Sequence, residues 1–360
     1  MTSAASVPPV DRAGLRQRID KALAAFLSDR RRWMAAVDDV LLPVAEALEA
    51  FVLGGGKRLR PAFAYWGYRG AGGIDSDQVV TSLAALEFVQ ASALIHDDLI
   101  DSSDTRRGEP AVHRRFAERH RAAAWAGDPD AFGEAAAILL GDLSLVWSDE
   151  LLHSGGLDPA TVARARPVFD EMRTEVTVGQ YLDIVAQVSG DDSVERASKV
   201  ARYKSAKYTV ERPLLLGAAL AGAAEPVRRA YSAYGLPLGE AFQLRDDILG
   251  VYGDPGQTGK PAGDDLREGK RTWLVATALR AADPAGRALL AGRLGDPNLD
   301  PELVDRLRGV IRDSGALART EERIADLTET AVAALAGAEL DAEAEQVLID
   351  LAYVATRRTD

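Results

Sequence analysis

The sequence contains no cysteine, which excludes disulfides and thiolate metal sites alike. Aromatic residues make up only 6%, while alanine is abundant, a balance that favours helices packed through small side chains. Positive charge is in short supply. The 43 Lys and Arg residues stand against 55 Asp and Glu, a net charge of -12, which argues against nucleic acid as a partner. Basic residues that bind an anion must therefore be locally concentrated. Apolar runs such as Leu214 to Ala224 stop short of the roughly 20 residues that span a bilayer. The opening MTSAASVPPVDRAG carries no apolar stretch of the signal-peptide kind, so a cytoplasmic protein without a transmembrane segment is expected. No stretch alternates apolar and polar residues between turn signals as strands do, and neither a repeat nor a long linker is visible. What is present is 47% hydrophobic over 360 residues, enough for a substantial core. The expectation is a single all-α domain over residues 11–360, its helices bundled around a central cavity, after a mobile tail over residues 1–10.

The chemistry is densest in EFVQASALIHDDLIDSSDTRR, Glu87 to Arg107. Neither Gly nor Pro interrupts Thr81 to Asp101, so one helix is expected there. At about 100° per residue, Asp97 and Asp101 share a stripe and Asp98 flanks it. Carboxylates crowded on one helical face repel each other, and that face suits a hard divalent cation. Arg106 and Arg107 follow closely. Acid, metal and guanidinium together suit a polyanionic ligand, with magnesium bridging carboxylate to phosphate. Gln90 lies seven residues before Asp97 and so falls on the same stripe. His96 could ligate metal, but it points elsewhere on the helix from Asp97, which favours packing or support of a ligand over direct ligation.

Other stretches read two ways. GGGKRLRP, Gly54 to Pro61, is either a flexible turn with solvated charges or an anion site, its glycines admitting the backbone and Lys57 and Arg60 aimed at phosphate. Pro43 marks a helix break or start, Pro61 a first-turn position, and Asp158-Pro159 a helix start. Asp142 reads equally as structural or functional. Lys204 and Lys207, in ARYKSAKYTVERP, are either a solvated face or part of a site. A second acidic pair, Asp246-Asp247, follows Gln243 near the end of a helix, with Gly250 four residues after Asp246. Next comes GQTGKPAGDD, a Gly-rich loop containing Lys260, suited to closing over a phosphate. From Lys270 to Thr359 the chain returns to Ala- and Leu-rich helices, where no chemistry is expected.

Taken in order, these motifs resemble the trans-type polyprenyl (isoprenyl) diphosphate synthases, most of all the geranylgeranyl diphosphate synthases. DDLID at Asp97 to Asp101 is similar to the family's first aspartate-rich motif, with the Arg106-Arg107 pair behind it. GGKRLRP, Gln90, YKS at Tyr203 to Ser205, FQLRDD at Phe242 to Asp247 and TGK at Thr258 to Lys260 fall in family order. The resemblance runs from about residue 40 to the C-terminus. It implies an enzyme that joins an allylic diphosphate to isopentenyl diphosphate, with Asp97, Asp101 and Asp246 holding magnesium ions, three per site, for which manganese can substitute. Asp98 and Asp247 would support them directly or through water. Arg106, Lys204 and Lys260 would add positive charge to the leaving group. Lys57, Arg60 and Arg107 would bind isopentenyl diphosphate with Gln90 alongside, and Ser205 and Gln243 belong to the same substrate-binding set. No side chain suggests the base for the final proton; the resemblance assigns that to the released diphosphate. The cavity must be dry, because water quenches an allylic cation.

Two departures stand out. Gly250 replaces the last acid of the second motif, and Gln90 stands where many longer-chain relatives carry histidine. Terpene cyclases of related fold and non-catalytic partner subunits are the alternatives. The former have no use for Lys57, Arg60 and Arg107, and the latter do not need the intact first acidic set. The resemblance also implies a homodimer. Product length follows from the arc Ala93, Val89, Ala85 and Ser92 beside Asp97. Short-chain relatives place aromatics at the positions matching Ser92 and Ala93. Here both are small, Val89 is medium-sized and Ala85 leaves the channel open, so a C20 product is expected, with longer chains as the alternative.

Overall fold

A computed structural model describes residues 8–254 and 263–357. The first helices are α1 (Leu15–Val37), α2 (Leu42–Leu53), α3 (Leu59–Gly70), α4 (Asp77–Leu83), α5 (Ala85–Ile100), α6 (Val112–Ala122), α7 (Pro129–Ser154) and α8 (Pro159–Ser189). The short α9 (Val194–Val200) runs into a π-helical segment, Ala201–Glu211, which continues as α10 (Arg212–Ala221). The long α11 (Glu225–Tyr252) follows, then α12 (Asp264–Glu268), α13 (Trp273–Ala281), α14 (Pro284–Arg293), α15 (Pro301–Asp313), α16 (Ala316–Leu335) and α17 (Ala342–Thr356). The strand content among the described residues is a ribbon, Thr105–Arg106 paired antiparallel with Glu109–Pro110. The all-α expectation holds. Pro9–Gly14 forms a 3-10 turn that buries Val10, so the last residues of the expected tail pack against the core, while residues 1–7 lie outside the described residues.

Local signals account for the helix ends. Asp158 caps α8 by accepting from the Thr161 N–H at 3.2 Å, Pro43 lies in the first turn of α2, and Pro61 in that of α3. The helix expected from Thr81 to Asp101 is broken at Ala84 into α4 and α5, a joint that no Gly or Pro marks. α1 buries Leu15, Ile19, Leu23 and Leu27, a four-residue spacing that makes one apolar stripe. Burial of each such leucine contributes about 1.5–3 kcal/mol.

Glycines set how closely the central helices approach. A Cβ at Gly67 would lie 2.8 Å from the Leu214 carbonyl, and one at Gly217 would strike the Ala64 carbonyl, so α3 and α10 cross nearly backbone to backbone. Gly141 backs onto the His96 ring and Gly155 onto Ser82, which sets α7 antiparallel to α4 and α5. Leu145 is thereby level with Ser92, and Trp147 with Phe88, whose rings meet edge-on at 5.9 Å.

Whole helices reach a length that uninterrupted apolar runs do not. Asp77–Ile100 and Pro129–Ser154 are long and apolar enough, by length and composition, to cross a membrane. The first is largely buried in the core. The second turns Ile138, Leu139 and Val146 outward.

Candidate active site

One cavity of about 870 Å³ lies between α5, α8, the π-helical segment and α11, a size typical of small-molecule sites. Asp97 from α5 and Asp246 and Asp247 from α11 line it together, so the two acidic motifs, about 150 residues apart, share one cavity. Arg60, Gln90, Arg106, Lys204, Ser205 and Gln243 also line it.

The π-helical segment positions Lys204. Pro213 has no N–H for the Thr209 carbonyl, and in the stretch before it the helix widens, as helices often do at functional sites. A Cβ at Gly179 would collide with the Lys204 backbone, and one at Gly239 with Ala206, so α8 and α11 clamp the segment from two sides. Lys204 Nζ then donates to Asp183 at 2.7 Å and to Asp97 at 3.2 Å. Gln180 donates to the same Asp97 oxygen at 2.8 Å. Lys207, one turn on, is bound to Glu175, which also takes two hydrogen bonds from Arg212; it is not among the cavity-lining residues.

The three acids of the first motif have separate environments. Burial alone would raise the Asp97 carboxyl, but Lys204, Lys270 and Arg106 outweigh it and hold that acid well below the usual carboxylate range. Asp101 caps the C-terminus of α5 and is pushed up, by burial first and by repulsion from Asp97 and Glu268, against the pull of Lys270. Asp98, like Asp101, lies off the cavity lining. It is almost wholly buried and accepts from Arg106 Nε at 2.9 Å and also from its Nη2. Its side chain locks the guanidinium in place, because the one-residue step from Asp97 turns it about 100° away from the cavity.

On the facing wall, Asp247 is fully enclosed. Burial, with repulsion from Asp265, Asp246 and Asp183, raises its pKa to about 8 against the hydrogen bond donated by Gln243 at 2.8 Å.

The Gly-rich basic loop divides its roles. Arg58, in the left-handed region at φ 51°, is buried and bound to Asp20 at 2.8 Å, to Glu87 and to the Val52 carbonyl at 2.9 Å; it fastens the loop to the core. Arg60 reaches the cavity, stacked 4.2 Å over the Tyr208 ring and donating to Thr209 at 3.0 Å. Tyr208 in turn donates to Gln90 at 2.8 Å. Arg107 donates to the Gly55 carbonyl at 3.0 Å. Lys57 on that loop and Arg107 in the turn of the two-stranded ribbon are both exposed, outside the cavity lining. His96 donates from Nε2 to the Ile138 carbonyl at 3.2 Å and also borders the cavity. Lys260 and the TGK motif lie outside the described residues.

Lys270 corrects the expectation that no chemistry follows residue 269. Its ammonium bridges Asp101 at 2.9 Å and Glu268 at 2.8 Å, and Ser103 donates to Glu268 at 3.2 Å. The segment after the Gly-rich loop is thus bound to the C-terminal end of α5. A lysine following three acids and a glycine in GDDLREGKRT was the available signal.

Ser92, Ala93 and Val89 line the cavity, but Ala85 does not; it is fully buried in packed core. Phe88, next to Val89 in the chain, packs edge-on with Trp147 at 5.9 Å and Phe26 at 5.3 Å.

The cavity's acidic side chains, Asp97, Asp246 and Asp247 among them, offer oxygen donors, which fit a hard cation such as magnesium. Among the described residues no three acidic or histidine side chains close into a cage of their own, so an ion here would complete its shell with ligand oxygens, as magnesium does in phosphate sites.

A sequence model described as polyprenyl synthetase matches residues 43–310. The chain is 33% identical over 309 residues to the geranylfarnesyl diphosphate synthase of Aeropyrum pernix, covering 84% of this chain and 91% of that one. It is also 33% identical over 265 residues to the geranylgeranyl diphosphate synthase of Methanosarcina mazei, covering 70% and 74%. Its fold is similar to the crystal structure of geranylgeranyl pyrophosphate synthase from Corynebacterium glutamicum, complexed with isoprenyl diphosphate and magnesium, at a TM-score of 0.93 and 43% identity over 96% of this chain and 98% of that one. The chain belongs to the polyprenyl synthetase family and is a prenyltransferase.

Proposed function

We propose that the enzyme condenses isopentenyl diphosphate with an allylic diphosphate, head to tail, and releases geranylgeranyl diphosphate as its main product. The observation that carries this reading is the pair of acidic walls, Asp97 on one side and Asp246 with Asp247 on the other, lining one cavity with Lys204 and Arg106. Asp97, Asp101, Asp246 and Asp247 would hold magnesium, which when bound would offset the charge that develops on the leaving group. Lys204 and Arg106 add fixed positive charge to that group, and Lys270 joins them from the far side of the first motif. Arg60 and Gln90 sit where the second substrate must approach, with Lys57 and Arg107 at the entrance to hold its diphosphate. The double bond of isopentenyl diphosphate attacks the allylic carbon, the C–O bond breaks, and the released diphosphate takes the proton. Val89, Leu145 and Val176 supply apolar wall against water.

Product length rests on the small Ser92 and Ala93 and on the medium-sized Val89 in the cavity wall. A C25 product is the second reading, favoured by the likeness to a geranylfarnesyl diphosphate synthase. Chromatography of the chains formed from labelled isopentenyl diphosphate tests both: a C20 main product supports the reading, and C25 or longer overturns it. We also read the outward Ile138, Leu139 and Val146 of α7 as the face covered by a second copy of the chain.

A further inference from the structure

The second acidic motif ends on Gly250 where the family pattern has a carboxylate, and the next acid along the chain, Asp254, lies beyond the end of α11. The structure places a carboxylate there from elsewhere. A Cβ built on Gly250 would collide with both carboxylate oxygens and Cγ of Asp265, a residue of α12, fifteen positions downstream and beyond the Gly-rich loop. The Asp265 side chain thus occupies the space into which a side chain at 250 would project. Both residues line the same cavity as Asp246 and Asp247, and of the carboxylates that repel Asp247, Asp265 acts more strongly than its chain neighbour Asp246.

We propose that Asp265 takes the place of the missing third acid, so that the metal-binding wall on α11 is Asp246, Asp247 and Asp265, with Gly250 retained because it makes room. This rests on the reading of the cavity as a metal-diphosphate site and adds a ligand-side residue to it. It has a consequence for how the site assembles. An acid on α11 is fixed by the helix, whereas Asp265 is carried by a five-residue helix whose neighbours Glu268 and Lys270 are bound to Ser103 and Asp101 at the other acidic wall. The third carboxylate therefore reaches the second motif only when α12 is docked against the first. In this chain the two acidic walls are coupled through one short segment, where a third acid on α11 would leave them independent.

Swapping the acid between the two positions tests this. Mn²⁺ binding to the full-length protein would be followed by electron paramagnetic resonance in the presence of geranyl S-thiolodiphosphate, a substrate analogue that does not ionise. Asp265→Asn is expected to weaken Mn²⁺ binding about 10–100-fold. Gly250→Asp alone is expected to weaken it as well, because two carboxylates compete for one space. The double variant Gly250→Asp with Asp265→Gly, which removes the side chain that a residue at 250 would strike, is expected to regain most of the lost affinity, with the acid now on α11. That recovery also excludes misfolding as the cause of the single-variant losses. Parent-like binding in Asp265→Asn, or a double variant no better than Asp265→Asn, overturns the proposal while leaving the metal-diphosphate site standing. Failure of the parent protein itself to bind Mn²⁺ with the analogue overturns both.

Discussion

At the scale of single residues, function depends on carboxylates and ammonium groups held out of water, and each has a distinct expected phenotype. Asp97 is held ionised by Lys204, Lys270 and Arg106 and is ready to meet a cation. Asp97→Ala should lower turnover by roughly 10³-fold or more with the fold intact; near-parent turnover would remove it from the machinery. Lys204→Gln should mainly lower kcat, because its charge acts on a leaving group, whereas Lys57→Ala should mainly raise the KM for isopentenyl diphosphate, which it meets before reaction. Steady-state kinetics with each substrate varied separates the two, and the opposite pattern would reverse the assignment. Asp247 makes a pH prediction. Its folded pKa of about 8 lies above the value of about 3.9 in an unfolded chain. A raised carboxyl pKa means the folded state favours the protonated acid. Its contribution is complete below about pH 4 and is lost as pH rises through about 8. The metal-free protein should therefore lose thermal stability from about pH 5 to about pH 8 more steeply than Asp247→Asn, and Mg²⁺ should reduce the slope by binding the ionised form. Equal slopes in the two proteins, measured by calorimetry, would contradict this.

At the scale of elements, the arc of α5 residues beside Asp97 was legible from helical geometry alone, and so was the cavity wall formed by Ser92, Ala93 and Val89. Ser92→Phe or Ala93→Phe should shorten the main product without abolishing turnover; unchanged chain length in both would mean that the tail lies along another face. What lay beyond sequence reasoning were features of approach. Nothing local announces that Gly179 and Gly239 clamp the π-helical segment, because a glycine inside a helix reads as a weakness until its neighbour is known. Gly179→Ala should cost about 1–3 kcal/mol by forcing α8 off Lys204, and should lower kcat along with Tm. The helical fold, the helix starts at Pro43 and Asp158, and the clustering of the two acidic motifs were readable because periodicity and capping are local. The pairing of Asp98 with Arg106 was not legible, because the aspartate run shows which acids are adjacent, not which one an arginine eight residues later will claim. Lys270 was missed because its partners, Asp101 and Glu268, meet only in three dimensions.

At the scale of the whole molecule, α7 covers α5 with one face and leaves an apolar face outward, carrying Ile138, Leu139 and Val146. A second copy packed there would remove that surface from water. Light scattering should give twice the mass of the chain, and Leu139→Glu with Val146→Glu should halve it; a fully active monomer at assay concentration would refute the assembly. The central claim is that one cavity uses two acidic walls to ionise one diphosphate and deliver the fragment to another. Its most direct measurement is diphosphate release from geranylgeranyl diphosphate precursors, geranyl or farnesyl diphosphate, with and without isopentenyl diphosphate and with excess chelator. The account predicts fast release only when both substrates and a divalent ion are present, matched one for one by chain extension. Release that is equally fast without isopentenyl diphosphate, or that persists in chelator, would contradict it.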